Sequence, residues 1–140
     1  MSLYVVDASV AIKLYVPEVH SPEAIRFFSD DHELIVPEFM LAELGNIVWK
    51  KSALLGELTE AEAKEIVDAV RDLPFGYYHA SGLLTDALQI ALSTKRSVYD
   101  SLYLALAAKE ECQLMTDDRK LYESLKSTSL ARFVTLIENY

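Results

Sequence analysis

Disulfides, flexible linkers and long apolar runs are all missing from this sequence of 140 residues. Its single cysteine, Cys112, excludes an internal disulfide framework and is typical of a protein of the reducing cytosol. Four glycines and four prolines leave little material for long loops, so we expect short connections. No apolar stretch is long enough to cross a bilayer, and no basic segment precedes an apolar one at the N-terminus. We therefore expect one cytoplasmic domain over residues 1–140, without a signal peptide and without membrane association.

Basic residues are also scarce. The chain has 13 lysines and arginines against 22 aspartates and glutamates, which gives a formal net charge of −9. Such a surface repels nucleic acid unless the charge is inverted locally. Taken alone it favours a small ligand or a protein partner, including a basic partner that covers part of the surface. Acids gathered in one metal site would supply some of the excess.

The pattern that remains alternates short β-like runs with longer helical ones. We predict strands at 3–6, 34–36, 75–79, 114–116 and 133–136, and helices at 10–16, 21–28, 38–55, 59–72, 83–93, 98–109 and 119–125. Thr59 and Glu62 form a capping-box pattern at the start of the fourth helix. Alternating βα units predict an α/β fold, with a parallel sheet covered by helices on both faces.

Acidic residues stand where such a sheet would bring them together. Asp7 follows the first strand, and Asp117 and Asp118 follow the strand that ends at Thr116. These positions are the carboxyl ends of strands, the edge at which open α/β sheets bind ligands. Asp100 lies near the start of a predicted helix. Acids from opposite ends of the sequence would meet at this edge and hold a metal ion.

Glu43 is the acid for which a solvated position fits least well. Its neighbours at helical spacing are apolar, namely Phe39, Met40, Leu44 and Ile47. A carboxylate beside a buried stripe is costly unless it is paired or bound to a metal. No lysine or arginine stands at position 39, 40, 46 or 47 to pair with it, which favours a ligand role.

Each acid also has a purely structural explanation. Asp7 would cap the helix that follows it, and Asp100 stands three residues after Ser97 in a capping pattern. Asp117 or Asp118 would favour the positive end of a helix dipole. Glu43 would be a solvated helix position. For each acid taken singly, both explanations stay open.

The donor types indicate which metal would bind. The three histidines, at 20, 32 and 79, and the one cysteine lack metal-site spacing. A set of carboxylates alone suits Mg²⁺ or Mn²⁺, as one or two ions, and does not suit zinc. Such a set with its ions serves phosphoryl chemistry.

Four stretches carry a family resemblance, in order and in separation, across nearly the whole chain: VVDASV (5–10), PEFMLAE (37–43), YDSLYLALA (99–107) and TDDRKL (116–121). At these residues the chain resembles a PIN domain, and specifically the VapC-type toxins of toxin–antitoxin pairs. The resemblance implies a three-layer α/β/α fold with a central parallel sheet of four to five strands. It also implies a metal-dependent endoribonuclease that hydrolyses RNA phosphodiester bonds.

The resemblance carries over to individual residues. Asp7, Glu43 and Asp100 match the first three acids of the family, and the Thr-x-Asp motif places the fourth on Asp118. Asp117 occupies the variable position of that motif, where it would assist as a further metal ligand. The hydroxyls that commonly support the acids match Ser9 and Thr116.

The resemblance also implies partners. The family commonly forms homodimers and is inhibited by a small antitoxin whose tail inserts near the acids. Trp49, Leu54 and Leu55 would line that groove, or would belong to the core. For RNA, we expect Lys13 and Arg119 to contribute to a positive rim. Further bases near the motifs are Lys50, Lys51, Lys95, Arg96 and Lys120.

Three other functions remain open to different degrees. A phosphoacceptor of the receiver type needs paired acids after the first strand and a late strand-end lysine, whereas Asp7 stands alone. A non-catalytic PIN module that only binds RNA or protein would usually have lost one of the acids. A housekeeping RNA-processing nuclease shares the chemistry of a toxin, and the sequence does not separate the two.

Overall fold

A five-stranded parallel sheet forms the centre of the computed structural model, which describes residues 2–140. Its strands are β1 (Ser2–Val6), β2 (His32–Pro37), β3 (Gly76–Tyr78), β4 (Gln113–Thr116) and β5 (Val134–Leu136). The helices are α1 (Ala8–Ala11), α2 (Ser21–Ser29), α3 (Phe39–Trp49), α4 (Glu60–Arg71), α5 (Leu84–Thr94), α6 (Val98–Lys109) and α7 (Arg119–Leu125). The predicted three-layer α/β/α architecture with a parallel sheet is confirmed.

Helix α6 lies at the centre of the core. Every residue from Ser101 to Ala107 is buried, which explains why this helix is apolar on all sides. It packs on β1, β2 and β4, with α5 alongside. Within residues 2–140, no helix has the length and apolar character that a bilayer crossing requires.

The elements differ from the predicted ones mainly at their ends. The first helix begins at Ala8 rather than at position 10, because Asp7 accepts a hydrogen bond from the Ser9 backbone and caps it. The helix predicted over 38–55 is regular only to Trp49. It ends in a wider turn, Lys50–Leu54, in which the Leu55 N–H donates to the Lys50 carbonyl five residues earlier. The capping box at Thr59 and Glu62 is confirmed, with both of its hydrogen bonds formed.

The strand order fixes where a ligand crevice can lie. From β1 the chain moves to β2 and β3 on one side of the sheet, and later to β4 and β5 on the other. The order therefore reverses between β1 and β4, which are neighbours with Val6 opposite Met115. In open parallel sheets, ligands bind at the carboxyl ends of the strands at this reversal point. The residues that follow Val6 and Met115 therefore lie where a ligand of this fold would bind.

Candidate active site

Asp7 occupies the reversal point. It follows β1, and its backbone N–H donates to the Met115 carbonyl on β4 at 3.1 Å. Its carboxylate is buried and accepts two hydrogen bonds, from the Ser9 N–H at 3.3 Å and from the Thr116 hydroxyl at 2.6 Å. Burial raises the pKa of Asp7, the hydrogen bonds from Thr116 and Ser9 oppose the rise, and the charge of Asp100 adds to it. The two hydrogen bonds fix the position of this buried carboxylate at the ends of β1 and β4.

Thr116 connects Asp7 to the fourth acid. Its side chain is buried, and its Oγ1 accepts a hydrogen bond from the Asp118 N–H at 3.0 Å while it donates to Asp7. Asp118 also caps α7, because its Oδ1 accepts from the Leu121 N–H at 3.0 Å. One carboxylate oxygen of Asp118 thus serves the helix, and Oδ2 is left to face the site. The structural explanation of this acid is confirmed, and its role as a metal ligand stays a prediction.

Glu43 approaches the same place from α3. Its Oε1 accepts a hydrogen bond from the Tyr103 hydroxyl of α6 at 2.7 Å. The pKa of Glu43 is raised to about 7, first by burial and then by the charge of Asp7, with a smaller contribution from Asp100. Burial and the charges of Asp7 and Glu43 raise the pKa of Tyr103 well above its ordinary value, so its hydroxyl keeps its proton and stays a donor. Asp7, Glu43 and Asp100 are therefore close enough to act on one another electrostatically.

Asp100 and Asp118 share one arginine. Asp100 is in the first turn of α6, where its N–H donates to the capping hydroxyl of Ser97 at 3.1 Å. The Nη2 of Arg96 lies 3.0 Å from Asp100 Oδ2 and 3.6 Å from Asp118 Oδ2. A guanidinium group therefore stands between two of the four predicted metal ligands.

Two of the predicted site residues are arranged differently from the prediction. The Lys13 side chain is only 3 % exposed, and its ammonium contacts Asp117 Oδ2 at 3.0 Å, Glu18 Oε1 at 3.2 Å and the Val19 carbonyl at 2.8 Å. The predicted RNA contact at Lys13 is wrong, because this lysine is buried and its ammonium contacts only groups of the protein itself. Asp117 is likewise turned to Lys13, and its N–H donates to Ser9 Oγ at 3.1 Å. The ammonium of Lys13 already balances the charge of Asp117, and the role of Asp117 as a metal ligand stays a prediction.

The other predicted RNA contact, Arg119, is exposed. Its guanidinium pairs with Glu123 at 3.5 Å and also with Glu138. Lys50 and Lys51 line a cavity of about 460 Å³ together with Ser9, Glu18 and Asp117. The Lys51 ammonium is paired with Glu18 at 2.8 Å and with Glu57 at 3.4 Å.

The donor set suits a hard divalent cation by its chemistry. All four candidates are carboxylates, the ligands that such a cation prefers. Three of them, Asp7, Glu43 and Asp100, interact electrostatically. Within residues 2–140, however, no three acids, histidines or cysteines converge closely enough to hold a metal ion as they lie. The Arg96 guanidinium contacts two of these acids, Asp100 and Asp118.

Sequence reasoning missed the partners of the acids rather than the acids themselves. Tyr103 lies 60 residues from Glu43, and no local pattern links the two. Arg96 precedes Asp100 by four residues, a spacing that predicts an ion pair on a helix. Nothing in the sequence indicates that Asp118 is its second partner. Long-range pairing of this kind depends on the packing of α6 against the sheet.

Two apolar surfaces lie outside the acidic site. Trp49, Leu54 and Leu55 are each more than half exposed at the end of α3 and in the turn that follows. Beside them, α3 and α4 line a cavity of about 850 Å³ that includes Val48, Trp49 and Val67. The second surface is a stripe on α5, where Leu84, Leu88 and Leu92 recur every four residues and are exposed.

Comparison with known proteins gives concordant results. Residues 4–124 match the PIN domain family. Ribonuclease VapC3 of Pyrobaculum aerophilum is 37 % identical over 121 residues, which cover 85 % of this chain and 92 % of that protein. The crystal structure of PAE2754, also from Pyrobaculum aerophilum, has a TM-score of 0.71 and 25 % identity over 99 % of this chain and 85 % of that one. A toxin–antitoxin complex from Klebsiella pneumoniae has a TM-score of 0.67 at 14 % identity, covering 96 % of this chain and 97 % of that one.

Proposed function

The chain belongs to the PIN domain family, and from that premise we propose that it is a metal-dependent endoribonuclease, the toxin of a toxin–antitoxin pair. The observation that carries the proposal is the meeting of Asp7, Glu43 and Asp100 at the reversal point of the sheet, where each is placed by a different element. A relative that covers most of the chain bears the name of a ribonuclease, which supports RNA as the substrate.

Asp7, Asp100 and Asp118 are the residues that would hold one or two Mg²⁺ or Mn²⁺ ions, with Glu43 beside them. When bound, the metal would polarise the phosphate, lower the pKa of water and stabilise the leaving oxygen. Thr116 fixes the orientation of Asp7 and the backbone of Asp118 through one hydroxyl. Carboxylates from both ends of the sequence thereby lie at one edge of the sheet.

Glu43 is suited to handle the proton of the attacking water. Its pKa of about 7 lets it accept a proton near neutral pH, and the Tyr103 hydroxyl orients its Oε1. In the proposed reaction the water oxygen bonds to phosphorus in line with the bond that breaks, between phosphorus and O3′. The proton of the water passes to Glu43, and the leaving O3′ takes up a proton from solvent. The products are a 5′-phosphate and a 3′-hydroxyl. We assign the contact with the RNA backbone to Lys50, which lines the groove beside Ser9 and forms no ion pair within residues 2–140.

The exposed apolar surfaces fit protein partners. We assign the groove between α3 and α4, with Trp49 at its edge, to an apolar segment of an antitoxin; a toxin–antitoxin complex among the structural neighbours supports such a partner. Trp49→Ala should weaken capture of the cognate antitoxin.

The leucine stripe on α5 is assigned to a homodimer, which sedimentation equilibrium would detect as twice the 15.8 kDa chain mass. We place the protein and its antitoxin in the cytoplasm, because a single, half-buried cysteine is typical of a protein of the reducing cytosol.

The decisive experiment is cleavage of labelled RNA with Mg²⁺ or Mn²⁺. We expect cleavage that EDTA abolishes, and a loss of at least about a hundredfold in both Asp7→Asn and Asp100→Asn. Asp31→Asn is the matched control, because Asp31 is exposed and precedes β2 at the opposite edge of the sheet. It removes one carboxylate charge and should leave the rate unchanged.

Two results would count against the nuclease. Cleavage that persists in both site variants would point to a contaminating enzyme or to another site. RNA that binds without cleavage at any metal concentration would favour a non-catalytic RNA-binding module.

A further inference from the structure

Arg96 has a position that the proposed function does not explain. It lies in the short link between α5 and α6, after Lys95, which ends α5 in the left-handed conformation, and before Ser97, which caps α6. Its backbone is held, because its N–H donates to Thr94 Oγ1 at 3.2 Å. Its side chain reaches away from this link to the acids.

The contact is made by a single nitrogen between two carboxylates. Nη2 of Arg96 lies 3.0 Å from Asp100 Oδ2 and 3.6 Å from Asp118 Oδ2, and these oxygens come from α6 and from the start of α7. One positive centre thus bridges two acids that are far apart in sequence. A bridging cation would take the same place between the same oxygens.

No other contact requires the guanidinium to be there. Its Nε is buried and donates to no acceptor within residues 2–140, whereas a structural arginine usually satisfies this group. The side chain is one-quarter exposed, so the guanidinium has a route to solvent. The two ion pairs are therefore what hold it.

We infer that Arg96 is a built-in counter-ion that occupies the metal position between Asp100 and Asp118 and that a divalent cation must displace. The inference rests on the proposed function, since it takes these two acids as metal ligands. Arg96 lowers the affinity of the site for metal and stabilises the metal-free protein.

The opposite role predicts the opposite sign. An arginine that supported bound carboxylates from outside would strengthen metal binding, and its removal would weaken it. A competing guanidinium both repels the incoming cation and must give up two ion pairs. Its removal should therefore tighten metal binding, by about tenfold or more for a unit charge so close to a divalent ion.

The test is calorimetric titration of the full chain with Mn²⁺ at pH 7.5. Arg96→Gln should bind Mn²⁺ at least about tenfold more tightly than the natural sequence. Arg71→Gln is the matched control, because Arg71 forms an equally short pair with Asp68 on α4, 3.0 Å, and contacts none of the site acids. It should leave Mn²⁺ binding unchanged, while Asp100→Asn should lose it.

A measurement on the unaltered chain covers the case in which Arg96→Gln does not fold. The side-chain Nε–H resonance of Arg96 should move on addition of Mg²⁺ towards the position of an exposed arginine such as Arg71. A resonance that stays in place at saturating Mg²⁺ would overturn the inference.

The possible failures are distinguishable. If Asp100→Asn loses Mn²⁺ but Arg96→Gln binds it equally or more weakly, the counter-ion role is wrong and the proposed metal site stands. If the natural sequence and Arg96→Gln both fail to take up Mn²⁺, the counter-ion role and the proposed metal-dependent function fall together.

Discussion

Replacing Glu43 by glutamine should stabilise the metal-free protein at pH 8. The carboxylate of Glu43 is raised in pKa to about 7 by burial and by the charges of Asp7 and Asp100. Glutamine has nearly the same shape, keeps an oxygen that can accept from the Tyr103 hydroxyl, and adds an amide that can donate to a neighbouring carboxylate. The substitution therefore removes a repelled charge and retains the packing of α3.

The sign follows from the direction of the pKa shift. A carboxyl whose pKa is higher in the folded state contributes stability that is fully present below its unfolded pKa, near 4.5, and lost as the pH rises through about 7. At about 1.4 kcal/mol per pH unit, the rise sets an upper bound of about 3 kcal/mol. Because Glu43 is only partly buried, solvent screening reduces this to about 1–2 kcal/mol at pH 8. For a chain of this length, the gain corresponds to an increase of about 3–8 °C in Tm.

The assay is urea unfolding in EDTA, followed by circular dichroism from pH 5 to pH 8.5. The natural sequence should lose stability over the upper part of this range, and Glu43→Gln should lose markedly less. Glu65→Gln is the control, because Glu65 is exposed on α4 and lies apart from the site acids. It removes the same charge from the surface, and its effect should stay within about 0.5 kcal/mol.

Excess Mn²⁺ should reverse the order of stability, because the natural site gains more from the cation than a site with one carboxylate fewer. A Glu43→Gln protein that is less stable than the natural sequence at pH 8 in EDTA would refute the reasoning. So would two unfolding curves with the same dependence on pH. Either result would mean that Glu43 is not repelled by its neighbours.

Two further predictions concern buried hydrogen bonds. Thr116→Val should destabilise the protein by about 2 kcal/mol and lower RNA cleavage, because it removes the donor to Asp7 Oδ2 and the acceptor for the Asp118 N–H. Thr116→Ser keeps the hydroxyl, so its recovery of most of the stability in urea unfolding is the check. Tyr140→Phe should cost about 1 kcal/mol without changing metal uptake, because the Tyr140 hydroxyl joins His32 Nε2, at 2.8 Å, to the Asp30 carboxylate. Tyr122→Phe is its control, since the Tyr122 hydroxyl makes no hydrogen bond within residues 2–140, and equal losses for both would contradict the assigned role.

Features that depend on local sequence were predictable. The bounds predicted for α6 and α7 agree with the structure, because each helix begins at a side-chain cap, Ser97 and Asp118, that is readable from its neighbours. The strands after which Asp7 and Asp118 stand are apolar runs, and parallel pairing brings their carboxyl ends together. The meeting of acids at this edge thus follows from pattern and from one topological rule.

The partners of those acids were not predictable, because long basic side chains reach different places from similar sequence positions. Lys13 and Arg96 both stand near motif acids, yet Lys13 is buried against Asp117, while Arg96 bridges Asp100 and Asp118. Which acid receives which base depends on how the segments that carry Lys13 and Arg96 pack against the rest of the fold. Sequence patterns mark where negative charge gathers but do not show how much of it the protein itself neutralises.

The bases that contact the site acids, which the sequence does not reveal, determine how much charge a bound metal would have to balance. Lys13 neutralises Asp117, which leaves Asp7, Glu43, Asp100 and Asp118 with Arg96 as the base that contacts them. Because Arg96 pairs with two of these four carboxylates, the protein itself balances part of their charge. A cation that binds there as we propose would have to replace that contribution.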